Sequence, residues 1–213
     1  FPVPVKQRRG EPVLIDTDEH PRYIKTENGY ELAIDMAGLS KLPAAFKTNG
    51  TVTAGNSSGI NDGAAALLLA NEEAARTFGY KPKLKWIGSA SAGTAPSHFG
   101  YGPVPATQKL LNRFGLSIDD IGLIELNEAF AAQAIGCMKQ LGLEPDKTNV
   151  NGGAIALGHP TGCSGARILV SLMHEMERRA SSVPKDKPFY GLATLCVGVG
   201  MGSSTLVEWI GEI

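Results

Sequence analysis

A histidine near the C-terminal end of the chain lies in a setting where it could transfer a proton. His159 stands between Gly158 and Pro160, a few residues before a predicted helix. The positive end of a helix dipole lowers the pKa of a nearby histidine and favours the neutral imidazole that a general base needs. A lone histidine is also often structural. Cys163 lies four residues further on, but no second pair of ligands is close in sequence, so we expect no metal site.

A cysteine in a second glycine-rich segment could also do chemistry. Cys196 ends a predicted apolar strand and precedes the alternating glycines Gly198, Gly200 and Gly202. One interpretation is an ordinary buried cysteine. The other is a thiol delivered to a cleft, beside backbone N–H groups that face an oxyanion. The glycine spacing is not a dinucleotide-binding fingerprint, because a strand and not a helix follows it.

Two further polar segments lie where predicted elements meet. Asn127 follows a predicted buried strand, so it could cap the next helix or hold a water or a substrate oxygen. Residues 53–63 form a glycine-rich loop before a predicted helix, which suits a polar ligand or a helix-capping loop. The loop is not a P-loop, because no Gly-Lys-Ser/Thr sequence follows it.

The elements that would position these residues alternate along the chain after residue 50. We predict helices over residues 63–78, 105–113, 129–140 and 164–179, and strands over 83–90, 121–126, 189–197 and 203–210. Such alternation, ending in a strand pair, predicts an α/β sheet covered on both faces. Residues 1–49 carry charge clusters and five prolines, so only a short strand (12–15) and a short helix (33–39) are expected there.

Composition narrows the class of protein. The chain has 213 residues, 43% hydrophobic and 19% charged, which is typical of one or two globular domains. A net charge of −1 argues against binding to nucleic acid or an anionic membrane, and no apolar stretch approaches the ~20 residues of a membrane span. Three cysteines favour free thiols in a reducing compartment. Because the chain opens at Phe1 without a methionine, we interpret it as a fragment or a processed piece.

Three motifs together resemble the thiolase family. Asn-Glu-Ala-Phe, Gly-His-Pro-x-Gly-x-Ser-Gly-Ala-Arg and Cys-x-Gly-x-Gly occur in the thiolase order, with 32 residues from the asparagine to the histidine. The resemblance covers essentially the whole chain but only the C-terminal half of a thiolase. It implies a thiolase-like α/β fold, one βαβαβαββ half with a mixed sheet covered by helices. Residues 1–49 would be the end of the CoA-binding loop domain and residues 50–213 the C-terminal domain.

The resemblance also implies an activity and residue roles. Thiolases exchange acyl groups between a 3-ketoacyl-CoA and CoA through an acyl-enzyme, with coenzyme A as a substrate and no cofactor. His159 would be the base that activates the nucleophilic cysteine and would help bind the thioester oxygen. Asn127 would hold a water in the same oxyanion hole. Cys196 would be the second acid/base, and the N–H of Gly198 would serve a second oxyanion hole.

Four further residues would contact coenzyme A by the same resemblance. Ser58 would bond to the pantetheine, with Phe130 and Phe46 lining its tunnel. Arg22 would lie near the adenine and the 3′-phosphate.

The nucleophile is the main departure from the family. In thiolases the nucleophilic cysteine lies in the N-terminal half, in a motif absent here, and neither Cys137 nor Cys163 takes its place. We therefore expect that this chain alone cannot form the acyl-enzyme. Either a partner carries the N-terminal half, as a cleaved piece or a second chain, or the chain is an inactive fragment. Oligomerisation of identical chains and a cytoplasmic location are further expectations.

Two other functions stay open. A non-catalytic CoA-binding or scaffold subunit could keep the fold without turnover, although it would need none of the three residues His159, Cys196 and Asn127. A ketoacyl synthase generally uses two histidines or a histidine and an asparagine, so Cys196 in its Cys-x-Gly loop favours a thiolase. Gly200-Met201-Gly202 resembles the same segment of acetoacetyl-CoA thiolases, which implies short acyl chains, whereas the segment 102–105 is shared with degradative thiolases of longer chains.

Overall fold

The N-terminal segment consists of small exposed elements. In the computed structural model, which describes residues 2–18, 20–184 and 186–211, two antiparallel hairpins are followed by one helical turn: β1 (Val3–Val5) with β2 (Val13–Ile15), β3 (Tyr23–Thr26) with β4 (Gly29–Leu32), and α1 (Met36–Leu39). The short strand and the short helix predicted here are thus confirmed. Two residues of the predicted loop domain, Phe1 and Glu19, lie outside the described residues. So do three of the predicted C-terminal domain, Lys185, Glu212 and Ile213.

The helix predicted over residues 63–78 is the largest error of the sequence interpretation. Only its last part is helical, as α2 (Glu72–Thr77). Asn71 caps this helix, so the loop at residues 53–63 is not a helix-capping loop.

The shortening has a physical cause in the packing. The side chains of Leu68 and Leu69 are both 77% exposed. Among the described residues, no backbone hydrogen bond joins residues 62–70 to another part of the chain. Most helical stability in proteins comes from packing an apolar face, and here most of the apolar side chains face solvent.

A four-stranded mixed sheet forms the centre of the molecule. Its strands are β5 (Leu84–Gly93), β6 (Ile121–Leu126), β7 (Tyr190–Val197) and β8 (Met201–Trp209), in the order β5-β8-β7-β6. β6 and β7 are parallel, whereas β8 is antiparallel to both β5 and β7. A parallel bridge between Ile124 and Thr148 lies where the expected βαβαβαββ order has its third strand.

Helices cover both faces of this sheet, as the alternation of elements predicts. The helices after β5 are α3 (Pro103–Phe114), α4 (Ala131–Leu141), the short α5 (Ala154–Leu157) and α6 (Ser164–Arg179). Neighbouring residues of a strand point to opposite faces. Accordingly, Ile124 packs with α3 and α4, while Leu123 packs with Ile168, Leu172 and Met176 of α6.

The ends of the helices follow simple chemistry. α3 and α4 end at Gly115 and Gly142, both left-handed with φ of 65° and 69°, as the glycines in the sequence suggested. Within the described part of the chain, no helix is long and apolar enough to cross a membrane.

Candidate active site

Two candidate residues lie at the same edge of the sheet, at the C-terminal ends of two parallel strands. Leu126 is paired with Thr194 in the ladder between β6 and β7, and the N–H of Asn127 donates to Thr194 O over 2.9 Å. Cys196 is two residues beyond Thr194 on β7. This edge is where α/β sheets place their functional groups.

Asn127 contacts His159 directly. Its Nδ2 lies 3.5 Å from His159 Nε2, and its side chain is 1% exposed. Its Oδ1 is buried and has no hydrogen-bond partner among the described residues. Asn127 does not cap α4, so that interpretation is wrong. Instead, Gln133 Oε1 accepts hydrogen bonds from the N–H groups of Ala129 and Phe130, the two residues that precede α4.

The glycine-rich loop at residues 59–61 fixes the backbone of His159. The N–H of His159 donates to Gly59 O over 3.1 Å and to Asn61 Oδ1 over 3.3 Å. Gly158 has a φ of 101°, and a Cβ there would approach Asn61 Oδ1 to 2.6 Å, so only glycine fits. Asn61 therefore holds the histidine loop and is not a helix cap.

The surroundings of the His159 imidazole favour its neutral form. Its Nδ1 lies 2.6 Å from the Oγ of Ser164, the first residue of α6. Burial lowers the pKa of His159, and the positive charge of Arg167 lowers it further. A neutral imidazole has a free nitrogen that can accept a proton.

A buried ion pair lies behind this histidine. Arg167 Nη1 is 3.3 Å from Glu125 Oε2, and Glu125 is 3% exposed. Burial raises the pKa of Glu125 to about 7, although Arg167 partly opposes the shift. The other guanidinium nitrogens, Nε and Nη2, are buried without partners among the described residues. Sequence reasoning missed this pair because a single glutamate in an apolar strand does not reveal a partner 42 residues away.

A second polar cluster holds the segment around Asn127. Asn149 Oδ1 accepts from Leu126 N over 2.9 Å, and its Nδ2 donates to Leu126 O over 2.8 Å and to Glu128 Oε1 over 2.9 Å. Glu128 Oε2 accepts from Ile155 N over 3.2 Å. We refer to the side chain of Asn149, which bonds both the N–H and the C=O of Leu126, as the carboxamide clamp. Asn149 has a φ of 49°, so its backbone is left-handed, which a sequence alone does not signal.

Two glycines in the turn after Cys196 differ in the space around them. A Cβ at Gly198 would meet nothing within 4 Å, whereas a Cβ at Gly200 (φ of 92°) would overlap Thr94 O. Gly200 O also accepts from Thr94 N over 2.7 Å. Cys196 itself is half-buried, and burial raises the pKa of its thiol.

Three of the four residues expected to contact coenzyme A come together. Ser58 donates from its N–H and Oγ to Ala129 O, over 3.1 and 3.0 Å. The ring of Phe46 meets that of Phe130 edge to face, with centroids 5.8 Å apart. Arg22 is exposed at the start of the second hairpin, and no described contact joins it to these three.

The other two cysteines differ in setting from Cys196. Cys137 is fully buried in α4, and its Sγ donates to Gly100 O over 3.3 Å. Burial raises the pKa of this thiol to about 11, so it is not a ready nucleophile. Cys163 is half-buried and precedes α6.

This fold and this arrangement define a family. The chain matches the family model of the thiolase C-terminal domain over residues 80–209 and that of the thiolase N-terminal domain over residues 1–73. The chain therefore belongs to the thiolase family, as its motifs suggested.

Named relatives and solved structures agree with this assignment. The chain is 52% identical over 207 residues to an acetyl-CoA acetyltransferase of Chromobacterium violaceum, covering 97% of this chain and 49% of the relative. It is 46% identical over 209 residues to a beta-ketoadipyl-CoA thiolase of Acinetobacter baylyi, with 97% and 48% covered. The chain spans about half the length of the curated relatives it matches.

The structural comparisons confirm the expected thiolase-like α/β fold. The crystal structure of the Bacillus anthracis acetyl-CoA acetyltransferase superposes with a TM-score of 0.86 at 42% identity, covering 99% of this chain and 49% of that one. The crystal structure of human mitochondrial 3-ketoacyl-CoA thiolase gives a TM-score of 0.81 at 37% identity, with 99% and 48% covered.

Proposed function

We propose that this chain contributes His159, Asn127, Cys196 and Gly198 to a thiolase active site that transfers acyl groups between a 3-ketoacyl-CoA and CoA. The contact that carries the proposal is the 3.5 Å approach of Asn127 Nδ2 to His159 Nε2 at the C-terminal edge of the sheet. The names of the relatives, acetyl-CoA acetyltransferase and beta-ketoadipyl-CoA thiolase, support acyl-CoA substrates.

His159 acts first as a base and then as a donor. Its lowered pKa supports a neutral imidazole, whose Nε2 takes the proton of a nucleophilic thiol. The N–H that results then donates to the oxyanion of the substrate. The buried, unpartnered Oδ1 of Asn127 supports a role in holding a water, whose second hydrogen points to the same oxyanion.

Cys196 donates and then accepts the second proton of the reaction. Its raised pKa keeps the thiol protonated at neutral pH, so it can give that proton to the acetyl-CoA carbanion when the bond between C2 and C3 of the substrate breaks. The thiolate then takes the proton of the incoming CoA thiol, which attacks the acyl-enzyme. The N–H of Gly198, a residue exposed to solvent, serves the acyl-enzyme oxygen.

The nucleophile comes from the N-terminal half of a thiolase, which lies outside these 213 residues. The buried thiol of Cys137, with its pKa of about 11, does not suit the role. The exposed apolar side chains of Leu68, Leu69 and Ile60 support the presence of a covering partner, because water-exposed apolar clusters are unfavourable. Coenzyme A is held by four residues, Ser58, Phe46, Phe130 and Arg22.

The boundary between the loop domain and the C-terminal domain falls between residues 49 and 50.

The test is a reconstitution assay. The purified chain alone should not cleave acetoacetyl-CoA in the presence of CoA, whereas the chain mixed with an N-terminal thiolase half should. His159→Ala and Cys196→Ala should each abolish thiolysis while folding and complex formation persist. His174→Ala and Cys163→Ala are the matched controls and should retain activity.

Two results would overturn the proposal. Thiolysis by the isolated chain would place the nucleophile on one of its own three cysteines. Complex formation with CoA binding but no turnover would support a non-catalytic scaffold subunit.

A further inference from the structure

We propose that Ser164 is a positioning residue that fixes the tautomer of His159, holding the proton on Nδ1 and leaving Nε2 as the proton acceptor. An imidazole can act as a base only through its unprotonated nitrogen, so the tautomer decides which nitrogen faces the reaction. The consequence for catalysis rests on the proposed function, whereas the tautomer itself does not.

The first argument comes from the hydroxyl of Ser164. The side chain is 0% exposed, and its Oγ lies 2.6 Å from His159 Nδ1. The same Oγ donates to Pro160 O over 3.1 Å. A hydroxyl has one hydrogen. Once that hydrogen is given to Pro160 O, the Oγ can only accept, and Nδ1 must carry the proton that it accepts.

The second argument comes from the other side of the ring. His159 Nε2 faces Asn127 Nδ2, which is a donor only. Two N–H groups cannot bond to each other, so this 3.5 Å contact favours Nε2 as the acceptor but is too long to fix the tautomer by itself. The neighbours on both sides of the ring therefore select the same tautomer, with the hydrogen on Nδ1.

The start of α6 explains why this serine is available. A serine at a helix start usually accepts a hydrogen bond from an N–H of the first turn. Here Cys163 is the N-cap residue and makes no side-chain capping bond, while Ser164 lies inside the helix. The Oγ of Ser164 is therefore free for the imidazole. In the sequence it resembles an ordinary capping serine, which explains why its role is not apparent there.

The arrangement also prepares His159 for its second state. When Nε2 takes a proton, the bond from Nδ1 to Ser164 Oγ persists, so the Ser164 side of the ring does not have to rearrange. Donors that need no reorganisation are the most effective in stabilising a developing charge.

The experiment measures the tautomer directly in the full chain. A long-range ¹H–¹⁵N correlation spectrum separates protonated from unprotonated ring nitrogens, and a His159→Gln variant identifies the signals of His159. The wild type should show a protonated Nδ1 and an unprotonated Nε2. Ser164→Ala and Ser164→Cys should both shift the population towards a protonated Nε2, because neither alanine nor the weakly accepting sulfur replaces the Oγ.

The control variant is Ser171→Ala, which removes a hydroxyl from the same helix. Its Oγ accepts from Arg167 Nη1 at 3.5 Å and does not touch His159, so the tautomer should be unchanged. Backbone amide spectra report whether each variant is folded. A protonated Nε2 in the wild type would overturn the proposal even if every Ser164 variant failed to fold. An unchanged tautomer in folded Ser164→Ala would also overturn it.

Kinetics separate this proposal from the proposed function. In the reconstituted enzyme, Ser164→Ala should lower kcat about five- to tenfold with KM unchanged, the effect of one lost hydrogen bond. The expected tautomer without any thiolysis would refute the proposed function and leave the role of Ser164 intact. Thiolysis together with the opposite tautomer would refute the role of Ser164 alone.

Discussion

Arg167 on α6 donates from Nη1 to Glu125 on β6 over 3.3 Å, and so joins the helix that carries Ser164 to the strand that leads into Asn127. The two charges are mostly buried, with side-chain exposures of 18% for Arg167 and 4% for Glu125. A buried pair of this kind is weak support for stability, because each charge loses its hydration. Its place in the fold suggests that it acts on the protonation of neighbouring groups.

The first prediction concerns the pH dependence of stability through Glu125. Burial raises the pKa of Glu125 from 4.5 to about 7, so the folded state binds this proton more tightly than the unfolded state. The stabilisation is fully present below pH 4.5 and is lost as the pH rises towards 7. Relative to Glu125→Gln, the free energy of unfolding of the wild type should fall over this range, by at most about 3 kcal/mol.

Urea unfolding at several pH values between 4 and 8 measures this difference. The groups that face Glu125 are Arg167, which lowers its pKa, and Glu128 and Glu175, which raise it. Glu144→Gln is the control, because Glu144 pairs only with the nearby Lys147 at the surface. A difference curve that rises with pH would contradict the raised pKa.

The second prediction concerns the pKa of His159 and the charge of Arg167. Burial is the larger cause of the lowered pKa, and Arg167 is the second. Arg167→Gln should therefore raise the pKa of His159 without restoring its ordinary value of 6.5, because burial persists. An NMR titration of the His159 ring protons in the full chain measures the change.

The opposite sign would contradict this account. A fall in the pKa of His159 in Arg167→Gln would mean that Glu125 becomes protonated once its partner is removed. The loss of that negative charge would then outweigh the loss of the positive charge of Arg167. Arg113→Gln is the control, since Arg113 donates to Ser89 O on another strand and should leave the titration of His159 unchanged.

How far the sequence predicts the fold depends on where each element gets its stability. The pattern of α6, an apolar stripe with a polar opposite face, predicts residues 164–179, and the helix has these bounds. Its stripe packs on the sheet of the same chain. The segment 63–78 has an equally helical composition, yet only residues 72–77 are helical, because most of its apolar side chains, such as Leu68 and Leu69, stay exposed.

The candidate site, like the fold, is predicted only in part by the sequence. The resemblance to thiolases implies that Asn127 and His159 share one oxyanion hole, and the structure has the two side chains in contact. The groups that hold them, Ser164 and Asn149, could not be predicted. Their roles depend on side-chain directions across the fold, which local patterns of apolar and polar residues do not encode.

The third prediction tests the carboxamide clamp. Asn149→Ala leaves the N–H and the C=O of Leu126 without their partners and places alanine in a left-handed backbone. Each unsatisfied buried group costs about 1–3 kcal/mol, so the free energy of unfolding should fall by about 3 kcal/mol. Urea unfolding measures the loss.

A matched control separates the clamp from the backbone strain. Asn49 also has a positive φ, 57°, but it is exposed and lies outside the sheet. Asn49→Ala should cost only the strain of a left-handed alanine, about 1 kcal/mol. Equal losses in the two variants would show that the clamp contributes nothing.

The fourth prediction compares the two glycines in the turn after Cys196. Gly200→Ala should destabilise the fold by more than about 2 kcal/mol, because the backbone is left-handed there and the added Cβ would overlap Thr94 O, a backbone atom that cannot move away. Gly198→Ala should change the free energy of unfolding by less than about 1 kcal/mol, because its Cβ would meet open space.

The same pair of variants bears on the chemistry of the turn. Gly198→Ala keeps the N–H that we assign to the acyl-enzyme oxygen, so in the reconstituted enzyme any loss of kcat must come from the new methyl group in the open space before this N–H. Gly198→Ala that folds normally and binds CoA but turns over slowly would therefore place the acyl group next to Gly198. Full activity would mean that no reacting group approaches this side of the turn, and the assignment of the second oxyanion hole to Gly198 would be wrong.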